Sequence, residues 1–223
     1  LKAPTANASA IDDGSVDRKC PSHKPNWFSL APQTIVPLFT GRGDAINSTA
    51  LQSQLDAMNA QTTQEDSKNA TIGSNPENSE TEDCLFLDVY SPKDAFEEVG
   101  STYGRPVLVY IHSGGYIWGS KHDFTTAGLF QRAASTGPPM VMVALNYRLG
   151  ALGFLSGPTI QKDGLANAGL HDQRFALEWI QKNIHLFGGD PNKVTVWGES
   201  AGAGSIMQQI TVSLAGRTFT NFC

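Results

Sequence analysis

The residues best suited to chemistry are Gly198-Glu199-Ser200-Ala201-Gly202, a G-x-S-x-G element that follows the strand-like run Lys193–Trp197 (KVTVW) and precedes a segment, 203–210, able to start a helix. A serine hydroxyl can act as a nucleophile when a sharp strand–turn–helix bend lifts it clear of its neighbours. The flanking glycines lack the Cβ atoms that would keep strand and helix apart. At a helix N-terminus, backbone N–H groups and the helix dipole favour negative charge beside Ser200. A second turn supplies the complementary half. His112-Ser113-Gly114-Gly115-Tyr116 comes directly at the end of the strand-like run Pro106–His112 (PVLVYIH). Acyl transfer places negative charge on a former carbonyl oxygen, which preorganised N–H donors must meet. Successive glycines let the backbone aim the Gly114 and Gly115 amides closely, and Ala201, next after the serine, offers another. Taken singly, each element reads as an ordinary glycine-rich turn. Two of them, each ending a predicted strand, point to nucleophilic acyl transfer.

The elements that must position these turns are legible after Cys84. Leu85–Tyr90 (LFLDVY), Pro106–His112, Met140–Tyr147 (MVMVALNY) and Lys193–Trp197 are short, β-rich and too continuously apolar to have one wet face. Such runs suit a sheet covered on both sides. Between Asn167 and Phe187 the stripe Ala176, Ile180, Ile184, flanked by Leu177, Trp179 and Phe187, predicts a helix that Gly188-Gly189 ends. The expected class is α/β with a mostly parallel central sheet and flanking helices. Earlier residues carry weaker signals. Pro4, Pro21, Pro25, Pro32 and Pro37 predict an irregular stretch over 1–40, and the polar stretch 41–83 shows only a weak helical pattern at Ala50, Leu51, Leu55 and Met58. A segment this long and polar suits disorder or a lid.

Composition narrows the class. The 223 residues carry 16 basic and 21 acidic side chains, a net charge of −5, which argues against a nucleic-acid partner. The length suits one globular domain. The longest apolar run, Met140–Leu145, is far below the roughly 18 residues of a transmembrane segment, and no Cys/His cluster has zinc spacing. Neither a metal nor an organic cofactor is implied. The chain begins at Leu1, as expected if a leader was removed or the N-terminus is incomplete. Sequons at Asn7, Asn47 and Asn69 are candidate glycosylation sites, little more frequent than chance. Cys20 and Cys84 could close a 64-residue loop around the lid-like stretch, with Cys223 left over; three reduced thiols in a cytosolic protein are the alternative. These features together lean towards secretion.

The chain also resembles a known family. Glu82-Asp83-Cys84-Leu85-Phe86-Leu87-Asp88-Val89-Tyr90 is similar to the EDCL strand motif of the type-B carboxylesterase/lipase family of α/β-hydrolases, which includes cholinesterases and secreted fungal lipases. The likeness continues through Asn146-Tyr147-Arg148-Leu149-Gly150, Gly153-Phe154-Leu155 and nearly all of 167–202. It implies a partial α/β-hydrolase domain over 1–223 lacking the C-terminal strands, a disulfide-closed lid-like region over 20–84, and an atypical tail over 211–223. It further implies Ser200 as the acyl-accepting nucleophile, Gly114, Gly115 and Ala201 as oxyanion donors, Glu199 as electrostatic support, and a Cys20–Cys84 disulfide. The substrate class would be a small-molecule ester or lipid, handled by a secreted protein.

Two departures and one absence qualify this. Ser113 stands where the family's oxyanion turn usually has its first glycine, and Glu82 is expected to lack the arginine that pairs with it, which would be costly if its carboxylate were buried. All five histidines precede Ser200, and the family's acidic triad residue and base lie well beyond the serine. Ester hydrolysis by family, with little or no turnover by these residues alone, is therefore expected. Alternatives are a non-catalytic cholinesterase-like adhesion or binding protein, or a chain left unstable by an open sheet edge.

Overall fold

The computed structural model describes residues 18–25, 27–68, 80–97, 99–100, 104–123, 127–137 and 140–214. Asn7, Asn69 and Cys223 lie outside them. The chain divides into two compact units, Leu1–Ser22 with Ser79–Cys223, and His23–Asn78.

The larger unit is built on four strands: β1 (Leu87–Tyr90), β2 (Arg105–Ile111), β3 (Val141–Leu145) and β4 (Gly189–Gly198). Their order is β1-β3-β2-β4. β3 and β4 run parallel to β2, whereas β1 pairs antiparallel with β3. The alternation of strands and helices thus yields the mixed, mostly parallel sheet of an α/β fold. β3 is buried at every position because both sheet faces are covered. On one face Val107, Val109 and Ile111 of β2, Val141, Val143 and Leu145 of β3, and Val194 and Val196 of β4 meet helix residues Leu177, Ile180 and Ile184. On the other face Tyr110, Met142 and Ala144 pack with Leu129 and Phe130. Each such aliphatic side chain stabilises the fold by about 1.5–3 kcal/mol through burial.

Two helices form the smaller unit, α1 (Trp27–Phe39) and α2 (Ser48–Lys68); the larger unit adds α3 (Lys93–Glu97), α4 (Ala127–Thr136), α5 (Gly150–Phe154), α6 (Pro158–Asp163), α7 (Ala168–Asn183) and α8 (Ala201–Leu214). α7 carries the predicted stripe, though its last turn, Ile184–Phe187, tightens into a 3₁₀ helix. Gly188 then ends it in the left-handed conformation (φ 78°), where a Cβ would lie 2.1 Å from the Ala95 carbonyl oxygen. α1 corrects the expectation of an irregular stretch over 1–40: it is helical despite Pro32 and Pro37. Leu30 and Ile35 of this helix, with Leu51 and Leu55 of α2 and Ile46 between the two, line a shared cleft of about 450 Å³. Asn47 is exposed and caps α2, its Oδ1 accepting the Ala50 N–H at 3.0 Å. No helix among the described residues is long and apolar enough to cross a membrane.

A disulfide joins Cys20 to Cys84, with Cα atoms 4.9 Å apart. Both sulfurs are buried, and Asn146 ties this junction to the end of β3. Its Nδ2 donates to the carbonyls of Arg18 (2.7 Å) and Cys84 (3.0 Å), while its Oδ1 accepts the Lys121 N–H (2.8 Å). Glu82 is solvent-exposed, so the expected cost of an unpaired buried carboxylate does not arise.

Lys121 is the least expected residue of the core. Its side chain is fully buried, with Nζ 2.7 Å from each carboxylate oxygen of Asp88 on β1. A buried ammonium deprived of its partner is strongly destabilising. Asp88→Asn should accordingly lower unfolding free energy by about 3–5 kcal/mol in urea titrations, and adding Lys121→Met should recover part of it. A loss below about 1 kcal/mol would mean that the ammonium has access to water.

Candidate active site

β4 ends at Gly198 and α8 begins at Ala201, so the reversal between them occupies two residues, Glu199 and Ser200. Ser200 has φ 52°, a left-handed value that costs an L-residue about 1–2 kcal/mol. Two glycines make the bend possible. A Cβ on Gly198 would lie 2.7 Å from the Gly202 carbonyl carbon, and one on Gly202 only 2.1 Å from the Ile111 carbonyl oxygen. The first turn of α8 therefore sits directly on the last residue of β2. Ser200 is exposed, Ala201 is buried beneath it, and the Ser200 hydroxyl has no hydrogen-bond partner among the described residues.

The same contact brings in the second turn. Ile111 pairs in register with Gly198, so β2 and β4 end side by side. Beyond Ile111 the chain turns through three consecutive left-handed residues, Gly114 (φ 105°), Gly115 (φ 61°) and Tyr116 (φ 65°). Closure comes from the N–H groups of Ile117 and Trp118, which both donate to the Gly114 carbonyl at 3.0 and 3.1 Å. Gly114 cannot carry a side chain, because its Cβ would lie 1.9 Å from the Trp118 carbonyl oxygen. Tyr116 reaches across to α8, where a Cβ on Gly204 would be 2.7 Å from its hydroxyl, and its ring packs against Phe154 at 4.8 Å. Among the described residues, the N–H groups of Gly114, Gly115 and Ala201 donate to no backbone carbonyl. Chemically, the two turns place an unpaired hydroxyl and uncommitted amides at the ends of adjacent strands.

Glu199 is exposed next to Ser200. Burial pushes the Tyr110 phenol up, and the Asp123 and Glu199 carboxylates push it further, so it stays an uncharged hydroxyl beneath the turn. His23, His122, His171 and His185 are exposed. His112 is buried, and burial lowers its pKa below the ordinary histidine value. No described histidine touches the Ser200 hydroxyl. Among the described residues no cluster of His, Cys, Asp or Glu could hold a metal ion.

Supporting residues that sequence reasoning did not single out stand behind the turns. Arg148 grips Asp172 of α7 through two 2.7 Å bonds, Nε to Oδ2 and Nη2 to Oδ1, and its backbone N–H adds a third at 3.1 Å. Those hydrogen bonds raise the Arg148 pKa despite partial burial. Tyr147 lies fully buried beneath His112, and burial raises its phenol strongly. Asp88 at the centre of the apolar run LFLDVY was the one available signal of a buried partner; nothing in the sequence around Lys121 distinguishes it from a surface lysine.

A strained serine on a strand-to-helix bend, at the carboxyl edge of a mostly parallel sheet, defines a hydrolase-like α/β protein. A sequence model of the carboxylesterase family matches residues 45–222, and the chain belongs to that family. It is 53% identical over 138 residues to the carboxylesterase patB of Aspergillus clavatus, covering 59% of this chain and 25% of that protein. Carboxylesterase patB of Penicillium expansum is 41% identical over 199 residues, covering 86% of this chain and 34% of that protein. A secreted lipase of Arthroderma benhamiae is 47% identical over 138 residues, covering 59% and 26%. The crystal structure of Aspergillus niger EstA superimposes with a TM-score of 0.52 at 39% identity, over 60% of this chain and 24% of that one. The chain thus spans about a quarter to a third of the length of these relatives.

Proposed function

We propose that these residues form the nucleophile-and-oxyanion half of a serine carboxylic-ester hydrolase. One observation supports the reading: Ser200 is held left-handed at the strand–helix bend, where β4 ends next to β2, and among the described residues neither its hydroxyl nor the amides of Gly114, Gly115 and Ala201 are bonded to a backbone carbonyl. Ser200 Oγ attacks the ester carbonyl carbon as its proton passes to a base, and the carbonyl electron pair moves onto oxygen, where the three amides receive it. Collapse expels the alcohol, which takes up a proton, and water then releases the acid from acyl-Ser200. Glu199 adds charge beside the site without transferring the proton. Among the described residues no histidine hydrogen-bonds to the Ser200 hydroxyl, so residues 1–223 by themselves should turn over little.

The remaining assignments follow the same reading. Substrates are small esters or lipids, in line with the carboxylesterases and lipases among the relatives. Residues 20–84 act as a disulfide-closed lid-like region and 211–223 as a divergent tail of the 1–223 hydrolase domain. Secretion is supported by the buried Cys20–Cys84 disulfide and by the secreted lipase of Arthroderma benhamiae, and Asn7, Asn47 and Asn69 would carry glycans. A glycan on Asn47 Nδ2 leaves Oδ1 free to cap α2.

A fluorophosphonate probe tests the central claim. Applied to the full-length protein, it should modify Ser200 alone, as read by mass spectrometry of the peptide containing that residue. Modification of another residue, or none with ester hydrolysis intact, would overturn the assignment. Rapid hydrolysis of a p-nitrophenyl ester by residues 1–223 expressed alone, abolished by Ser200→Ala, would overturn the expectation of little turnover.

A further inference from the structure

His112 is buried at the junction between β2 and the turn that carries the amide donors. Its Nδ1 lies 2.8 Å from the Ser113 carbonyl oxygen. A carbonyl only accepts, so Nδ1 must hold the proton and donate. Burial disfavours a charged ring, which leaves the imidazole neutral and Nε2 bare. Nε2 is buried without a hydrogen-bond partner among the described residues. An aromatic hydrocarbon in this place would avoid that cost, so packing alone does not account for an imidazole here.

The surroundings are arranged around that one hydrogen bond. The ring stacks on Tyr147 with centroids 4.2 Å apart and planes at 16°, and the Tyr147 hydroxyl donates to the His112 carbonyl at 2.9 Å. These contacts fix the ring's rotamer from below. Above it the chain passes at Gly119 (φ 110°), where a Cβ would lie 2.5 Å from His112 Nδ1 and 2.8 Å from the Ser113 oxygen. A glycine is therefore needed at 119 for the backbone to cross over this bond at all. The Ser113 carbonyl belongs to the same peptide plane as the Gly114 N–H, and in a trans peptide the two point in opposite directions across a rigid unit. Fixing the carbonyl fixes the amide.

We propose that His112 is a positioning residue for the oxyanion site, holding the Ser113–Gly114 peptide plane through its Nδ1–H so that the Gly114 amide stays aimed. This inference rests on the serine-hydrolase reading above and adds to it a role for a residue that never touches substrate. It also accounts for the tolerance of Ser113 where a glycine would be expected: the orientation of this peptide is set by the imidazole rather than by backbone freedom.

The test uses the full-length protein and two variants, His112→Leu, which removes the donor, and His112→Asn, whose Nδ2 can donate near where Nδ1 stood. In the wild type, ¹⁵N spectra of the imidazole should show the neutral form protonated on Nδ1. The Gly114 amide resonance should move in His112→Leu and return towards its original position in His112→Asn. With a p-nitrophenyl ester, His112→Leu should lose about 10²-fold in kcat with KM nearly unchanged, the loss of one misaimed oxyanion donor. His112→Asn should recover most of it. An Nε2-protonated ring, an unmoved Gly114 resonance, or an asparagine variant no better than leucine would each overturn the proposal. If the wild type lacks Ser200-dependent turnover, the hydrolase reading fails on its own, while the tautomer and the Gly114 resonance still decide the role of His112. If His112→Leu does not fold, the wild-type tautomer and the asparagine variant decide it.

Discussion

Ser200→Ala should leave the protein folded and cost about 10⁶-fold in kcat on a p-nitrophenyl ester, measured on the full-length protein. The two effects separate because the substitution removes one oxygen atom that makes no hydrogen bond among the described residues, so the fold loses no partner. The left-handed strain at this position is the same for alanine as for serine, and the melting temperature should stay close to the wild-type value. Residual turnover, still above the rate in water, would come from amides that continue to meet the oxyanion. Ser200→Gly sharpens the test. It removes the same hydroxyl and also relieves the φ of 52°, so it should stabilise by about 1 kcal/mol while being equally inactive. A fully active Ser200→Ala protein would end the nucleophile assignment.

Gly202→Ala should be strongly damaging, because the added methyl group meets the end of β2. Its Cβ would sit 2.1 Å from the Ile111 carbonyl oxygen, 3.1 Å from that carbonyl carbon and 3.2 Å from the His112 oxygen. All three are backbone atoms, so no side chain can swing aside. α8 would have to move off β2 by an ångström or more, and the shift would open the distance between the two turns. A stability loss of about 3 kcal/mol is expected in urea titrations, together with at least a 10²-fold fall in kcat from misplacement. Gly128→Ala is the matched control: it lies in α4 with nothing within 4 Å of its Cβ and should be neutral or stabilising by about 0.5–1 kcal/mol. Equal behaviour of the two variants would show that α8 can move off β2 without cost, against the tight approach argued from Gly202.

Most of the sheet was legible because burial on two faces leaves a trace in composition. β3 has no polar position, and its continuous apolar run could be read directly. The stripe on α7 was legible for the same reason, since Leu177, Ile180 and Ile184 all face the core. α1 was not, because Pro32 and Pro37 argue locally against a helix, and the cleft it lines together with Leu51 and Leu55 lies beyond any local window. The Ser200 bend announced itself through paired glycines whose missing Cβ atoms are a steric requirement visible in sequence. The Lys121–Asp88 pair and the His112–Ser113 hydrogen bond did not, since nothing in a residue's type tells whether a lysine is buried or which carbonyl an imidazole meets. Those depend on the register between β1 and β3 and on the path of the chain over Gly119.

The Cys20–Cys84 junction has a consequence for how this chain can change over time. Its two sides leave and re-enter the larger unit within a few ångströms of each other, covalently fixed and held by Asn146. Whatever lies between them can be lengthened, shortened or replaced without altering the gap the scaffold has to bridge. Mutation can therefore explore new sequences there as an exchangeable cassette, between two ends whose separation stays fixed.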